Sequence, residues 1–174
     1  YVLCPKCGYA ANVEAMVSKV NKQEIAKAPE MELLDTPDTP TIESLVEVMN
    51  QKYQANVSAS DTLKNILLVA DGQVVSILIP GDRQLDLKRV EANLAGVKEL
   101  RLFEDGDFAK NPGLVKGYVG PQDAKKLGIK LYADPSVVVG SHWITGANTK
   151  NKHMRYVTHG RDFSVDGFIE AVEI

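Results

Sequence analysis

The strongest constraint on this chain is a hairpin written into residues 61–81, DTLKNILLVADGQVVSILIPG. Two β-rich runs, 66–69 and 74–79, are joined by Asp71-Gly72, a pair that tolerates the positive backbone angles a two-residue turn demands. Both runs are apolar enough to be buried, so the hairpin is expected at the centre of a sheet. Lys64 sits at its mouth, with an amine directly before a segment that must leave water. Such a lysine either snorkels to solvent at a strand end or is held in a pocket for chemistry.

With 174 residues, 44% hydrophobic and 25% charged, the chain has the composition of a globular protein that buries about 70% of its unfolded surface. One domain is expected over 1–174, with 1–10 as a cysteine-containing lead-in and 21–40 as an extended connection. No apolar stretch approaches the ~18 residues of a membrane span, and YVLCPKC lacks the charged and apolar regions of a signal peptide. A cytoplasmic protein without a membrane partner is the expectation. The start at Tyr1 points to a piece of a longer chain. A net charge of −3 argues against a wide basic face for nucleic acid. Any such contact is therefore local, or delivered by a neighbouring domain.

Val13, Met16, Val17 and Val20 recur at helical spacing after Asn12, predicting a helix over 12–21. Pro29, Pro37 and Pro40 mark an extended stretch, with EMELLDTP as a short edge strand. A second helix follows, capped by Thr39, with Pro40 in its first position, Ile42, Leu45, Val46 and Met49 as its stripe, and an end near Tyr53. After the hairpin, Pro80-Gly81 stops the strand, Asp86 caps a helix with Leu87, Val90 and Leu94 inward, and Gly96 ends it. ELRLF reads as a strand, 111–128 as a glycine- and proline-rich connection, and IKLYAD and SVVVG as strands, before loops and strands through KHMRYV. Helices and hairpin strands intermixed, without a strand-helix-strand rhythm, indicate an α+β domain with a mixed sheet.

Cys4 and Cys7 supply half of a structural zinc site. His142, His153 and His159 follow no zinc spacing, and a redox CxxC would need a strand before it, for which residues 1–3 leave no room. CPKCGYAAN is expected to be a tight turn leading into the first helix, with no metal.

At YAANVE, at Lys64 in DTLKNILLV, at GYVGP and at GANTKNKH, the chain resembles the editing domain inserted into bacterial-type prolyl-tRNA synthetases, of the YbaK-like deacylase superfamily. The resemblance runs over essentially the whole chain. It implies a mixed, partly barrel-like sheet flanked by helices, and hydrolysis of alanine wrongly esterified to tRNA(Pro). It implies as partners that mischarged tRNA and the rest of the synthetase chain, in a homodimeric parent. No cofactor is implied for editing, ATP and magnesium belonging to the synthetase core. Lys64 matches the family's catalytic-site lysine, and Gly117 and Pro121 match the two ends of its GxxxP loop. Asp134 and His153 match positions lining the amino-acid pocket, and Thr36, Ile42 and Leu45 match its walls. Glu14 also matches, although a glutamate in a first helical turn has a local reason to be there.

The residue types suit that chemistry. One missing methylene changes binding by only ~1–3 kcal/mol, so a proline site cannot exclude alanine and a second, smaller hydrolytic site is needed. Ester hydrolysis requires an activated water and a stabiliser for oxyanion charge, and no Ser-His-Asp pattern is evident. The glycines of GYVGP let backbone amides approach a ligand. Lys64 then acts as an electrostatic anchor, while a hydroxyl of the terminal adenosine, which the resemblance implies, helps to activate the water. The alternative is a non-catalytic module that guides the acceptor end. Convergence of Lys64, Gly117 and His153 on one small pocket separates the two, because a filled core there would favour the module.

Overall fold

The computed structural model describes residues 1–19 and 28–174. In chain order the elements are β1 (Val2–Leu3), β2 (Ala10–Ala11), β3 (Glu32–Asp35), α1 (Ile42–Lys52), β4 (Leu63–Ala70), β5 (Gln73–Pro80) and α2 (Leu87–Asn93). They continue as β6 (Leu100–Leu102), α3 (Asp105–Lys110), β7 (Lys130–Ala133), β8 (His142–Gly146), β9 (Lys152–Thr158) and β10 (Gly167–Phe168). The expected hairpin is the spine. β4 and β5 pair antiparallel over their full length, from Leu63 opposite Pro80 to Ala70 opposite Gln73. Asp71 (φ 48°) and Gly72 (φ 79°) both turn left-handed, as the short turn requires.

Parallel pairing with β7 and antiparallel pairing with β6 extend the hairpin into a five-stranded sheet of order β10-β7-β5-β4-β6. A three-stranded sheet, β3-β9-β8, stands beside it, and β1 and β2 form a separate two-stranded ribbon. The mixed α+β class is as expected, with three sheets and no closed barrel among the described residues. The five-stranded and three-stranded sheets meet through a bridge between Thr62 and Ile144.

Alternation along β4 divides the core. Leu63 and Leu67 pack with Leu131, Val137, Trp143 and Val157 on one side of the large sheet. Leu68 goes to the other side, with Val75, Ile77, Val90 and Ile169 under α2. A third cluster, Leu34, Leu45, Met49 and Ile144, seats α1 on the small sheet.

Three expected elements are corrected. The helix expected over 12–21 is, within the described residues 12–19, a single 3-10 turn, Val13–Ala15, with Val17 71% exposed; Val20 and Asn21 lie outside the described residues. The Met16 carbonyl accepts from the Arg89 guanidinium, and the Ser18 amide donates to Glu170 (2.7 Å), so the backbone is drawn into long-range bonds instead of a helical ladder. Thr41, not Thr39, caps α1: its hydroxyl accepts from the Ser44 amide while the Ser44 hydroxyl accepts from the Thr41 amide, both at 3.2 Å. SVVVG forms no strand. Asp134 accepts from the Ser136 amide (3.0 Å) and hydroxyl (2.6 Å), and the Val137 amide closes on the Asp134 carbonyl (2.9 Å), folding the segment into a turn.

The edge strand expected in EMELLDTP is β3, which pairs with β9 so that Leu34 faces His153. The cysteine lead-in is a tight turn closed by the Gly8 amide on the Cys4 carbonyl (2.9 Å), here between β1 and β2. Among the described residues, no group of three or more His, Cys, Asp or Glu side chains could hold a metal ion, and no helix is long and apolar enough to cross a membrane.

Candidate active site

Where the two sheets meet under the N-terminal end of α1, an open cleft of about 490 Å³ forms. Its walls come from α1 (Ile42, Leu45), the first half of β4 (Lys64, Asn65), the connection bearing Gly117 and Val119, and the small sheet (Thr145, His153). β6 pairs only with Leu68, Val69 and Ala70, so the first half of β4 faces the cleft without a strand beside it. Ladder parity sets which backbone groups face that gap. The Leu67 carbonyl accepts from Phe103 on the β6 side and the Leu78 carbonyl accepts from Asp134 on the β7 side, which turns the Asn65 N–H and C=O toward the open edge.

Lys64 is held rather than left to snorkel. Its ammonium donates to the Arg83 carbonyl at 2.6 Å. Partial burial lowers its pKa from the ordinary lysine value, and the carboxylates of Glu43 and Asp82 oppose that shift. The group is a localised positive charge at the rim of an apolar slot.

His153 is 4% exposed, and burial lowers its pKa to about 4, so the ring is neutral near pH 7. Its Nδ1 lies 2.7 Å from the Thr36 hydroxyl, and the Tyr118 ring flanks it at 5.3 Å. Thr39, freed from capping, donates its hydroxyl to the Thr36 carbonyl (2.7 Å) and its amide to the Tyr118 hydroxyl (3.1 Å). The Tyr118 hydroxyl in turn donates to Asn151 Oδ1 at 3.0 Å. This network fixes the imidazole from behind.

The GYVGP loop lies directly against the end of β8. Gly117 has φ +82°, and a Cβ there would stand 2.9 Å from Pro40 Cβ, so both conformation and space demand glycine. A Cβ on Gly120 would meet the Gly146 carbonyl at 1.8 Å, and one on Gly146 would meet the Tyr118 carbonyl at 2.1 Å. Gly120 donates its amide to Asn148 Oδ1 (3.0 Å) and Tyr118 its amide to Val115 (2.9 Å). No described hydrogen bond uses the amides of Gly117 or Val119, the two loop residues that line the cleft.

The sequence-predicted residues therefore separate. Lys64, Gly117, Ile42, Leu45 and His153 line one cleft. Thr36 lies behind it and reaches it through His153 and Thr39, both of which line it. Pro121 opens the 3-10 turn after the loop and lines a different hollow, beside Arg161 and Phe163. Asp134 does not line the cleft: one carboxylate oxygen is taken by Ser136 and the other by the Ala171 (3.0 Å) and Val172 (3.3 Å) amides, which staples the chain's last strand-like segment to the sheet. Exposed Glu14 lies on the 3-10 turn and does not line the cleft either.

Sequence reasoning missed Asn65 and Thr145. The Thr145 hydroxyl donates to the Leu63 carbonyl (3.2 Å), so it accepts from Asn65 Nδ2 (2.8 Å), which fixes the orientation of the amide. Asn65 Oδ1 is then a buried acceptor with no partner among the described residues. The signal was present: each is a polar residue inside an apolar run, LKNILLV and HWITG.

The cleft thus combines a localised positive charge, a neutral imidazole and a close-packed glycine loop at the seam of a mixed α+β fold. The family model for the aminoacyl-tRNA editing domain covers residues 36–163, and the chain belongs to that family. Over its whole length the chain is 45% identical to a segment of the proline--tRNA ligase of Mycolicibacterium smegmatis and 46% identical to one from Nocardia farcinica. It spans 32% of each of those ligases. By structure, it matches a protein assigned as a trans-editing enzyme for prolyl tRNA synthetase, with a TM-score of 0.58, 17% identity, and coverage of 83% of this chain and 87% of that one. The hypothetical protein APE2540 gives a TM-score of 0.60 at 19% identity, covering 82% and 91%. At those identities the two structures establish the fold alone.

Proposed function

We propose that this cleft hydrolyses alanine wrongly esterified to tRNA(Pro), as the editing site of a proline--tRNA ligase. The observation that supports it is the meeting of Lys64, Gly117 and His153, from three separate parts of the chain, in one open cleft rather than a filled core. That arrangement favours a catalytic site over a module that merely guides the acceptor end.

In this reading the Lys64 ammonium lies beside the ester or the terminal phosphate and stabilises negative charge as it develops. Its bond to the Arg83 carbonyl suits an anchor, since a protonated amine is the natural donor there. Asn65 Oδ1 is an acceptor for the α-ammonium of the aminoacyl group, which would satisfy an otherwise unpaired buried oxygen. The amides of Gly117 and Val119 are donors for the carbonyl oxygen as it becomes an oxyanion.

A hydroxyl of the terminal adenosine orients the attacking water. Water adds to the carbonyl carbon, the ester C–O bond breaks, and alanine leaves with the water oxygen while the ribose regains its hydroxyl. Ile42, Leu45 and neutral His153 limit the space for the side chain, so that proline's ring is excluded. ATP and magnesium serve only the ligation core of the parent, a cytoplasmic homodimer in this reading.

The test is deacylation of alanyl-, prolyl- and cysteinyl-tRNA by the chain and by its Lys64→Ala variant. Alanyl-tRNA is expected to be cleaved in preference to the others, and the folded variant is expected to lose at least a hundredfold in rate, about 3 kcal/mol of barrier. Full activity in a folded Lys64→Ala protein overturns the assignment.

A further inference from the structure

An alanyl group occupies only a small part of a cleft of about 490 Å³, a volume within the ~300–1,000 Å³ range of sites that enclose drug-sized ligands. The cleft is also two-ended. Lys64, Asn65, Thr145 and His153 give one polar end, whereas Ile66, Leu67, Leu102, Phe103 and Phe108 line an apolar remainder that the hydrolytic reading leaves unused. Phe103 and Phe108 meet edge to face, with centroids 4.9 Å apart and planes at 88°. Both rings are half-buried, and Leu102 beside them is 53% exposed.

This aromatic corner is held in place by its own bonds. Arg101 on β6 grips Asp107 on α3 with two parallel hydrogen bonds, 2.6 and 2.9 Å, and Asp107 also accepts from the Glu104 amide at 2.9 Å. The guanidinium and that amide hold the Asp107 carboxyl well below the usual carboxylate range. The Phe103 amide donates to the Leu67 carbonyl (3.1 Å), fixing the ring's backbone to the cleft-lining strand. A pair of aromatic rings, one just after β6 and one on α3, stands beside Leu67 on the strand that carries the anchoring ammonium of Lys64, and this pairing suits a nucleoside ester, with its charge and carbonyl at one end and a flat base at the other.

We propose that Phe103 and Phe108 form the seat for the terminal nucleobase of the tRNA 3′ end. This rests on the editing reading above. Stacking on an aromatic face reads the π surface and not the hydrogen-bonding edge, so the seat accepts any purine and fails only when the base is absent. It supplies affinity that the acidic chain does not gain from phosphates, and it sets the distance between the ribose and Lys64.

Two measurements on the chain test it. The first is fluorescence of a short 3′-CCA RNA carrying 2-aminopurine as its last base, titrated with the wild type and with Phe103→Leu and Phe108→Leu, which keep the packing apolar. Quenching by the wild type, weakened about five- to hundredfold in apparent affinity in folded leucine variants, is expected. The second is hydrolysis of alanyl-tRNA against an alanyl ester on a tRNA ending in an abasic ribose. The wild type should prefer the base-bearing ester through KM, and the leucine variants should lose that preference, their KM for the base-bearing ester rising toward that for the abasic one.

Equal hydrolysis of both esters, or quenching that survives in the variants, overturns the seat and leaves the editing reading standing. Quenching as predicted but no hydrolysis of either ester overturns the editing reading and leaves a nucleobase site. Absence of both signals removes both.

Discussion

His153 is buried without a charge beside it, and that burial gives stability a pH dependence. In the unfolded chain its pKa is the ordinary 6.5, and in the fold it is about 4. Between those values the unfolded chain binds the proton and the folded one does not, so stability falls as pH drops from 6.5 toward 4 and is unaffected above that window. Two and a half units correspond to about 3 kcal/mol. Urea unfolding of the wild type against His153→Gln should show the wild type losing about that much more between pH 7 and pH 4. Parallel curves would mean the ring is not desolvated.

Lys64 and His153 were legible only through a resemblance, since a strand-end lysine and a histidine in a strand each have an ordinary structural reason. Asn65, the unpaired acceptor beside Lys64, was hidden because its importance comes from Thr145, 80 positions away. Asp134, expected at the pocket, stands outside the cleft. Its carboxylate is used by the Ser136 amide and hydroxyl, a turn that Asp-Pro in YADPS favours by itself, and by the Ala171 and Val172 amides, which lie far away in sequence.

At the scale of elements, the hairpin was readable because its turn and both strands are local. The helix expected over 12–21 was not, because its pattern competes with Arg89 and Glu170, which lie far away in sequence and claim the backbone of Met16 and Ser18. The GYVGP loop depends on a comparable long-range meeting, and its glycines separate two costs. Gly72 has φ +79° and open space around it, so Gly72→Ala should cost about 1 kcal/mol in stability and leave deacylation intact. Gly120→Ala places a Cβ 1.8 Å from the Gly146 carbonyl, where two backbones must separate. That variant should lose ~1–3 kcal/mol or more and shift Gly117 and Val119 away from the cleft, cutting deacylation tenfold or more. Thermal melts and single-turnover rates of both variants check this. Equal activity in Gly72→Ala and Gly120→Ala would show that the loop does not need its seat on β8.

For the whole molecule, the governing facts are a net charge of −3 and a length about a third of the ligases it matches. Salt bridges such as Lys152 with Asp35 and Arg155 with Glu32 spend surface cations on the small sheet itself. The net charge and these pairings weigh against a broad phosphate-binding face, and in the editing reading proposed above a 3′ end is then brought to the cleft by another part of the ligase. Under that reading, tethering within a longer chain would do this, because a linked substrate arrives at an effective concentration near millimolar and needs little intrinsic affinity. The isolated chain should accordingly bind deacylated tRNA(Pro) weakly. The slope of log affinity against log salt should be shallow, since each neutralised phosphate contributes about 0.7–0.9 to it. Filter binding or fluorescence anisotropy from 50 to 200 mM salt, a range over which six to ten phosphate contacts would cost about 10³–10⁵ in affinity, decides the matter. Tight binding with such a steep slope would mean that the chain carries its own tRNA-binding face, and that delivery by a parent is unnecessary.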